Sequence, residues 1–174
     1  MKNLALFNDN NFLPEGYTVR KVVRAVILNE KETEVLFFGN GSLLVGGGVE
    51  EGESYEDALR RETMEEVGAN IEIISEVGEV VAYRDFSKQK YIVQGYICKI
   101  VGSLVKPTTT QFEEKITVPV WQSIPYAISN LENKILEIEK AYLNKPKDDK
   151  FQQKVHNRKT SIAFLKETQL LLNK

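Results

Sequence analysis

The segment GGGVEEGESYEDALRRETMEEVGA occupies residues 46–69 and joins a glycine-rich loop to an acidic stretch. It holds eight acidic side chains against two arginines, whereas the whole chain of 174 residues has a formal net charge of −2. Ser54 is a typical helix N-cap and Gly68 a typical helix stop, so the segment predicts a helix over residues 55–67. So many carboxylates on one short helix need an explanation beyond solubility.

The spacing of three glutamates on this helix indicates a metal site. Glu62, Glu65 and Glu66 stand at positions i, i+3 and i+4 and therefore share one helix face. Like charges at this spacing destabilise a helix, and the cost rises when they lose water. Clustered carboxylate oxygens suit Mg²⁺, which binds carboxylates together with phosphate oxygens. The alternative is a solvated helix face on which Arg61 pairs with Glu65.

The glycines before the helix favour the metal site over the solvated face. Six of the eleven glycines lie between Gly39 and Gly52. A loop containing Gly46, Gly47 and Gly48 can adopt positive φ values and lets a ligand approach its backbone. The loop also leads into the positive N-terminal end of the helix, where anions bind. No Gly-Lys-Ser/Thr follows it, so it is not a Walker loop.

The spacing of these residues resembles the Nudix box, G-x5-E-x7-R-E-U-x-E-E-x-G-U, in which U is bulky and aliphatic. All seven fixed positions match, and the box covers residues 47–69. Thr63 and Ala69 depart from the pattern at U positions, and Val45 stands where the family commonly has a proline. The likeness extends over most of residues 18–143 and identifies a MutT-like member of the Nudix hydrolases. The fixed positions are Gly47, Glu53, Arg61, Glu62, Glu65, Glu66 and Gly68.

This resemblance implies a hydrolase that uses Mg²⁺ or Mn²⁺ to cleave nucleoside diphosphates linked to another group. It implies that Glu62, Glu65 and Glu66 are metal ligands, and that Glu66 or Glu62 also handles the attacking water. The backbone of Gly47 would lie near the metal. Two further residues of the box would brace the corner between loop and helix without touching substrate, namely Arg61 and Glu53.

The family often draws a further carboxylate from a loop beyond a long pair of strands. Glu113 and Glu114 lie in such a loop, and we prefer Glu114 as the catalytic partner, although a solvated loop explains both as well. Arg24 on the first long strand is a candidate phosphate contact, with a solvent-facing arginine as the alternative. Three aromatic residues could stack on a base or belong to the core, namely Tyr83, Phe86 and Trp121.

Two isolated residues are assigned to non-catalytic roles. We expect His156, on the last predicted helix, to be a surface residue and not a catalyst. We expect Cys98, in an apolar strand, to be a small buried hydrophobe. Because it is the only cysteine, the chain cannot form an internal disulfide, which is typical of a reducing compartment.

The order of predicted elements favours an α/β (α+β) fold, which the resemblance specifies as an α/β/α sandwich with a mixed β-sheet. We expect residues 1–174 to form a single domain. Residues 1–16 would be an arm or a short strand. Periodicity predicts a hairpin, a long antiparallel pair and two C-terminal helices. These elements are Thr18–Leu28 with Glu34–Phe38, Ile71–Tyr83 with Lys90–Val101, and the helices 125–143 and 151–172.

Composition narrows the partners. A pI near 5.6 gives no basic surplus, so we expect no nucleic-acid polymer as a partner. Residues 1–16 contain a single lysine and no long apolar run, which predicts the absence of a signal peptide. No stretch approaches the ~20 apolar residues of a membrane span, so we expect no membrane partner. The chain is therefore predicted to be a cytoplasmic protein that acts on a small nucleotide.

The sequence leaves the substrate open. A modest single domain resembles the hydrolases of 8-oxo-dGTP and general nucleoside triphosphates. No proline occurs between Ser54 and Lys106, which weakens hydrolysis of ADP-ribose, while Tyr83 leaves dinucleoside polyphosphates open. A non-catalytic nucleotide-binding module is disfavoured because all the carboxylates of the box are present. The C-terminal segment 151–174, which contains the last helix, could cap the sandwich or form a homodimer contact.

Overall fold

The computed structural model of the chain describes residues 1–8, 15–38, 41–107 and 119–174. In chain order these residues form strands, one helix, further strands and two C-terminal helices, as the sequence predicts. The elements are β1 (Asn3–Phe7), β2 (Thr18–Leu28), β3 (Glu34–Phe38), β4 (Leu43–Leu44), α1 (Tyr55–Val67), β5 (Asn70–Arg84), β6 (Gln89–Val101), β7 (Val120–Ser123), α2 (Ile124–Ala141) and α3 (Asp149–Leu172).

The strands of the described residues form one mixed sheet. Its order is β1-β5-β6-β2-β3-β4, and β7 pairs with β3. β1 runs parallel to β5 and β2 parallel to β6, whereas the other pairs are antiparallel. The predicted hairpin of β2 and β3 and the predicted long pair of β5 and β6 are confirmed. The N-terminal segment, predicted as an arm or a strand, contributes an edge strand.

Helices cover both faces of the sheet, so the predicted α/β/α sandwich is confirmed. Alternation along β2 sends Val23 and Ile27 to one face and Val22 and Val26 to the other. The first face packs against Leu59 and its neighbours on α1. The second face packs against α2 and α3, whose buried side chains include Leu131, Phe164 and Leu165. Two apolar cores therefore sandwich the sheet.

Local signals set the helix ends. α1 has the predicted bounds because the Ser54 hydroxyl accepts the Asp57 N–H at 3.1 Å and Gly68 ends the helix at φ 67°. α3 begins earlier than predicted, because Asp148 caps it by accepting the Phe151 N–H at 2.7 Å. Within the described ranges, no helix combines the length and the apolar character needed to cross a membrane.

Candidate active site

The glycine loop of the box lies along strand β2. The Val23 N–H donates to the Gly47 carbonyl at 2.9 Å, and the Ala25 N–H donates to the Val45 carbonyl at 2.8 Å. Gly46 sits between them at φ 129°, where an added Cβ would overlap the carbonyl oxygen of Val23. The loop therefore has a defined position over the sheet, and its close approach requires glycine at position 46.

Two carboxylates of α1 are held against this loop. Glu66 is only 7% exposed, and one of its oxygens accepts the Gly46 N–H at 2.8 Å. The Glu62 carboxylate lies where a Cβ on Gly47 would be, so a side chain at that position would overlap it. The third carboxylate of the face, Glu65, has a side chain 43% exposed to solvent. The structure thus brings two predicted metal ligands against the glycine loop, Glu62 at Gly47 and Glu66 at Gly46, with the third at the solvent edge.

Arg61 connects the loop to the helix. Its Nε and Nη2 donate to the two oxygens of Glu53, each at 3.0 Å, which is the bidentate geometry of the strongest arginine–carboxylate pairs. Nη2 also donates to the Gly48 carbonyl at 2.9 Å, and Nη1 donates to Glu62 at 2.9 Å. Arg61 therefore joins the Glu53 end of the loop to the carboxylate face of α1. The Arg61–Glu65 contact, expected for a solvated helix face, is the longest of these at 3.5 Å.

Charge and burial shift the pKa values of these groups in opposite directions. The hydrogen bonds from Arg61 lower the pKa of Glu53, which stays ionised. Loss of water raises the pKa of Glu62, and Glu65 acts in the same direction against Arg61 and Arg24. Burial lowers the pKa of Arg24, which Glu66 and Glu62 oppose. Glu62 is therefore a partly dehydrated carboxylate whose ionised form a further cation would stabilise.

The donor set fits a hard divalent cation. Glu62, Glu65 and Glu66 supply carboxylate oxygens on one helix face, beside a loop carbonyl at Gly47, and oxygen donors of this kind suit Mg²⁺ or Mn²⁺. Within the described residues, no three His, Cys, Asp or Glu side chains lie close enough to form a ready metal-binding group; Glu62 is bonded to Arg61 and Glu66 to the Gly46 N–H. The chemistry of the donors therefore fits a hard divalent cation.

A cavity of about 190 Å³ adjoins the loop on the α3 side of the sheet. Three arginines line it, and they come from the strands β2 and β5. The lining residues of the described part of the chain are Arg20, Val22, Arg24, Gly47, Gly48, Ala82, Arg84, Tyr91, Val93, Gln153, His156, Asn157 and Thr160. Gly47 and Gly48 belong both to this cavity and to the loop that holds the carboxylates. An acidic face and a basic cavity therefore meet at the glycine loop.

Arg84 is the most buried of the three arginines, at 6% exposure. Its guanidinium lies 3.8 Å from the ring centre of Tyr91, and Nη1 donates to the Tyr91 hydroxyl at 2.9 Å. Burial lowers the pKa of Arg84, and Arg20 and Arg24 act in the same direction, since like charges disfavour each other. Neither Arg20 nor Arg84 was predicted as a site residue. The sequence signal that could have identified them is the alternation of side chains along β2 and β5. It puts Arg20 on the same sheet face as Arg24, and Arg84 on the same face as Ala82.

The structure separates the other predicted substrate contacts from one another. Arg24 lines the cavity. Tyr83 lies on the opposite face of β5 from Ala82 and Arg84, and its ring packs edge-on against Tyr17 at 5.4 Å. Trp121 on β7 is 40% exposed and lines a second cavity, of about 650 Å³, with residues of the β2–β3 turn. A base-stacking role for Tyr83 or Trp121 stays a prediction. Such stacking would take place outside the cavity lined by Arg20, Arg24 and Arg84, which we call the arginine cavity.

Three further expectations concern a loop, a histidine and a cysteine. Glu113 and Glu114, the proposed extra carboxylates, lie outside the described residues. The prediction that His156 lies on the surface is wrong: it is 1% exposed, because its face of α3 packs on the sheet and on the ring of Phe7 at 5.7 Å. The prediction for Cys98 is confirmed, since it is fully buried and burial raises its pKa to about 12.

Comparisons with known proteins find relatives in sequence and in fold. A relative from Sulfurovum sp. (strain NBC37-1), an RNA pyrophosphohydrolase, is 42% identical over 78 residues, which cover 40% of this chain. The chain spans about half the length of that relative, 49%. A NUDIX hydrolase from Nitrosomonas europaea shares the fold with a TM-score of 0.50 at 18% identity, over 83% of this chain and 90% of its own. The E. coli ORF135 protein shares the fold with a TM-score of 0.50 at 23% identity, over 65% of this chain and 79% of its own.

The family comparison covers more of the chain than the single relative does. The model of the NUDIX domain matches residues 18–152, from the start of β2 into the first turn of α3. This range contains the glycine loop, the carboxylate face of α1 and the arginines of the cavity. It is more than half of the 174 residues, and the chain therefore belongs to the Nudix family.

Proposed function

We propose that this protein is a metal-dependent pyrophosphohydrolase that cleaves the phosphoanhydride of a nucleoside di- or triphosphate derivative. The observation that carries this proposal is the meeting of opposite charges at the glycine loop. Glu62 and Glu66 pack against Gly46 and Gly47, and the same loop borders the arginine-lined cavity. A carboxylate cluster alone would repel a polyphosphate, whereas a cation site beside a basic cavity can bind one.

The residues divide into three roles in this proposal. Glu62, Glu65 and Glu66 would hold Mg²⁺ or Mn²⁺, and Glu66 or Glu62 would accept a proton from the attacking water. The bound cation would supply Lewis-acid polarisation of the phosphate oxygens. Arg61, bridged to Glu53, keeps the loop and the helix in register, so that the carboxylates stay beside the cavity. Arg24 would contact a phosphate, and Glu114 remains the proposed further carboxylate.

The favoured substrate is a nucleoside triphosphate, with 8-oxo-dGTP as the leading candidate. A second candidate is a triphosphate at the end of an RNA, which the name of the 42%-identical relative suggests. That candidate would overturn the expectation that no nucleic-acid polymer is a partner. Hydrolysis of ADP-ribose, hydrolysis of dinucleoside polyphosphates and non-catalytic nucleotide binding are less favoured functions. The cytoplasmic location and the homodimer stay predictions. Measuring the molecular mass in solution, for the protein with and without residues 146–174, tests the homodimer.

The decisive experiment is hydrolysis of a nucleotide panel with Mg²⁺, Mn²⁺ or EDTA. The panel contains 8-oxo-dGTP, the common triphosphates, ADP-ribose, a dinucleoside polyphosphate and a 5′-triphosphorylated RNA. We expect Glu66→Gln to lower kcat roughly 100-fold or more, since it removes a proton acceptor and a charged ligand. Its apo stability should change by less than about 1 kcal/mol, because the amide oxygen can still accept the Gly46 N–H.

Glu56→Gln is the matched control. It makes the same chemical change on the same helix, but Glu56 is exposed at the first turn of α1. This variant should hydrolyse the panel at the rate of the unmodified protein. Binding of a nucleotide without hydrolysis under every metal condition would leave the non-catalytic module as the function. Equal loss of activity in both variants would remove the special role assigned to Glu66.

A further inference from the structure

The lining of the arginine cavity carries positive charge and no negative charge among the described residues. Arg20, Arg24 and Arg84 line it, and none of the lining residues in the described part of the chain is acidic. Of the ion pairs formed among the described residues, none involves these three arginines. Through space, Glu62 and Glu66 offset Arg24 from the far side of the glycine loop, and Asp149 offsets Arg84. No carboxylate within the cavity contacts these guanidiniums directly, so an anion that enters the cavity can bind them.

Neighbouring side chains hold the Arg84 guanidinium in an orientation that suits contact with an anion. Its Nη1 donates to the Tyr91 hydroxyl at 2.9 Å and its Nη2 donates to the Asn157 side-chain oxygen at 3.2 Å. These two bonds and the stacking on Tyr91 hold the guanidinium in one orientation. Its Nε is buried and has no hydrogen-bond partner among the described residues. Because Nε has almost no accessible surface, an anion in the cavity would instead bind the terminal nitrogens of Arg84, each of which has a second N–H beyond the bond that it already makes.

The size of the cavity limits what can enter it. Its volume of about 190 Å³ is smaller than the roughly 300–1,000 Å³ of sites that enclose a whole small molecule. The Arg84 guanidinium already occupies one face of the Tyr91 ring, at 3.8 Å, so a base cannot stack there. Arginine is the side chain best suited to bind phosphate with two parallel hydrogen bonds. A single phosphate group therefore fits the cavity in both size and charge.

We propose that Arg84, together with Arg20 and Arg24, binds a free terminal phosphate of the substrate, and that Arg84 is a specificity-determining residue. This inference rests on the proposed function, since it assumes a polyphosphate held beside the glycine loop. A substrate polyphosphate that ends in a free phosphate would place its doubly charged terminal group in the cavity. A diphosphate esterified at both ends would bring a neutral sugar there instead. The preferred substrate class is therefore a nucleotide with an unesterified phosphate terminus.

ATP and ADP-ribose test this specificity because both contain adenosine diphosphate, and only ATP ends in a free phosphate. We expect the unmodified protein to prefer ATP in kcat/KM. Arg84→Met keeps an unbranched side chain over Tyr91 but removes the charge, and it should lower kcat/KM for ATP roughly 10- to 100-fold. The value for ADP-ribose should stay within about twofold. Equal losses for both substrates would overturn the specificity role.

A binding experiment separates this inference from the proposed function. Inorganic triphosphate is titrated into the protein in EDTA by calorimetry, so that neither metal nor hydrolysis contributes. We expect binding that Arg84→Met weakens at least about tenfold. Arg158→Met is the matched control, because Arg158 is a half-buried arginine on α3 that does not line the cavity. This control should bind triphosphate as the unmodified protein does.

The outcomes are distinct. If no nucleotide is hydrolysed but triphosphate binds through Arg84, the phosphate subsite stands and the proposed activity fails. If hydrolysis occurs but Arg84→Met neither weakens triphosphate binding nor changes the preference, the activity stands and the subsite fails. Should Arg84→Met not fold, Arg20→Gln replaces it, since Arg20 is exposed at the cavity and its loss should still weaken triphosphate binding. Unchanged binding in Arg20→Gln would then overturn the subsite.

Discussion

At the scale of single residues, the site depends on one glycine that is needed for space and not for backbone freedom. Gly47 lacks a positive φ, but a Cβ there would fall on the Glu62 carboxylate. Gly52 shows the opposite case, with φ at 81° and no atom within 4 Å of an added Cβ. The two glycines of one loop are therefore required for different physical reasons.

Substituting these glycines separates the two effects. Gly47→Ala should push Glu62 from its place and lower kcat at least about tenfold, while leaving stability nearly unchanged. Gly52→Ala should cost about 1–2 kcal/mol of stability through left-handed strain and keep kcat. Hydrolysis rates and urea unfolding of both variants measure this. Full activity in Gly47→Ala would show that the contact between Glu62 and the loop has no part in catalysis.

At the scale of elements, the corner between the glycine loop and α1 is stabilised by one side chain. Arg61 makes two parallel bonds to Glu53 and a further one to the Gly48 carbonyl. Glu53 also accepts the Glu50 N–H at 3.0 Å, which closes the turn before the helix. Because the side chains of Arg61 and Glu53 are only 25% and 15% exposed, solvent screens this pair less than a surface ion pair.

Arg61→Lys tests the geometry of this corner while the charge is kept. Lysine cannot form the paired bonds to Glu53 or reach Gly48 at the same time, so we expect a loss of about 1–2 kcal/mol at pH 7. Arg61 lowers the pKa of Glu53 in the folded protein, so its stabilisation is present above the ordinary glutamate range near 4.3. It is lost as the pH falls through the folded pKa.

Urea unfolding in EDTA at several pH values measures this loss. The stability difference between Arg61→Lys and the unmodified protein should narrow below about pH 4, because Glu53 then becomes protonated. Arg60→Lys is the control: Arg60 donates to the Ile71 carbonyl at 2.6 Å and pairs with no carboxylate in the described part of the chain. A pH-independent deficit in Arg61→Lys would show that the ion pair does not stabilise the corner.

At the scale of the whole molecule, α3 belongs both to the core and to the cavity. Phe164 is fully buried against Gly95 of β6, where an added Cβ would lie 2.7 Å from the ring. Earlier turns of the helix are bonded to the β5–β6 turn, through Gln152 to Asp85 at 3.0 Å and Asp149 to Ser87 at 2.6 Å. We therefore propose that residues 1–174 form a single domain.

Phe164→Ala tests this proposal. Truncating a fully buried phenylalanine should cost about 3–5 kcal/mol, and the protein should still unfold in one cooperative transition. Leu170→Ala is the control on the same helix, since Leu170 is 58% exposed and should change stability by less than about 0.5 kcal/mol. Two separate transitions in urea, only one of them moved by Phe164→Ala, would indicate that the C-terminal helix lies in a separate unit.

Much of the fold was predictable because its signals are local. A serine cap, a left-handed glycine and the carboxylate spacing lie within α1 itself, so its bounds agree with the prediction. Alternation and turn residues likewise placed the hairpin and the long strand pair. The burial of His156 could not be predicted in this way, because α3 buries polar side chains along with apolar ones. Its buried residues include Gln152, Thr160 and Thr168 as well as apolar side chains.

By itself, the sequence determined the box: the glycine loop, the capped helix and the spacing that puts three glutamates on one face. Those features depend on contacts between residues close along the chain, so helix geometry suffices to derive them. Only the tertiary structure decided that Arg20, Arg24 and Arg84 share one cavity beside that loop, and that Trp121 lies elsewhere. Sheet order and the packing of α3 bring these residues together, and both depend on contacts between distant parts of the chain.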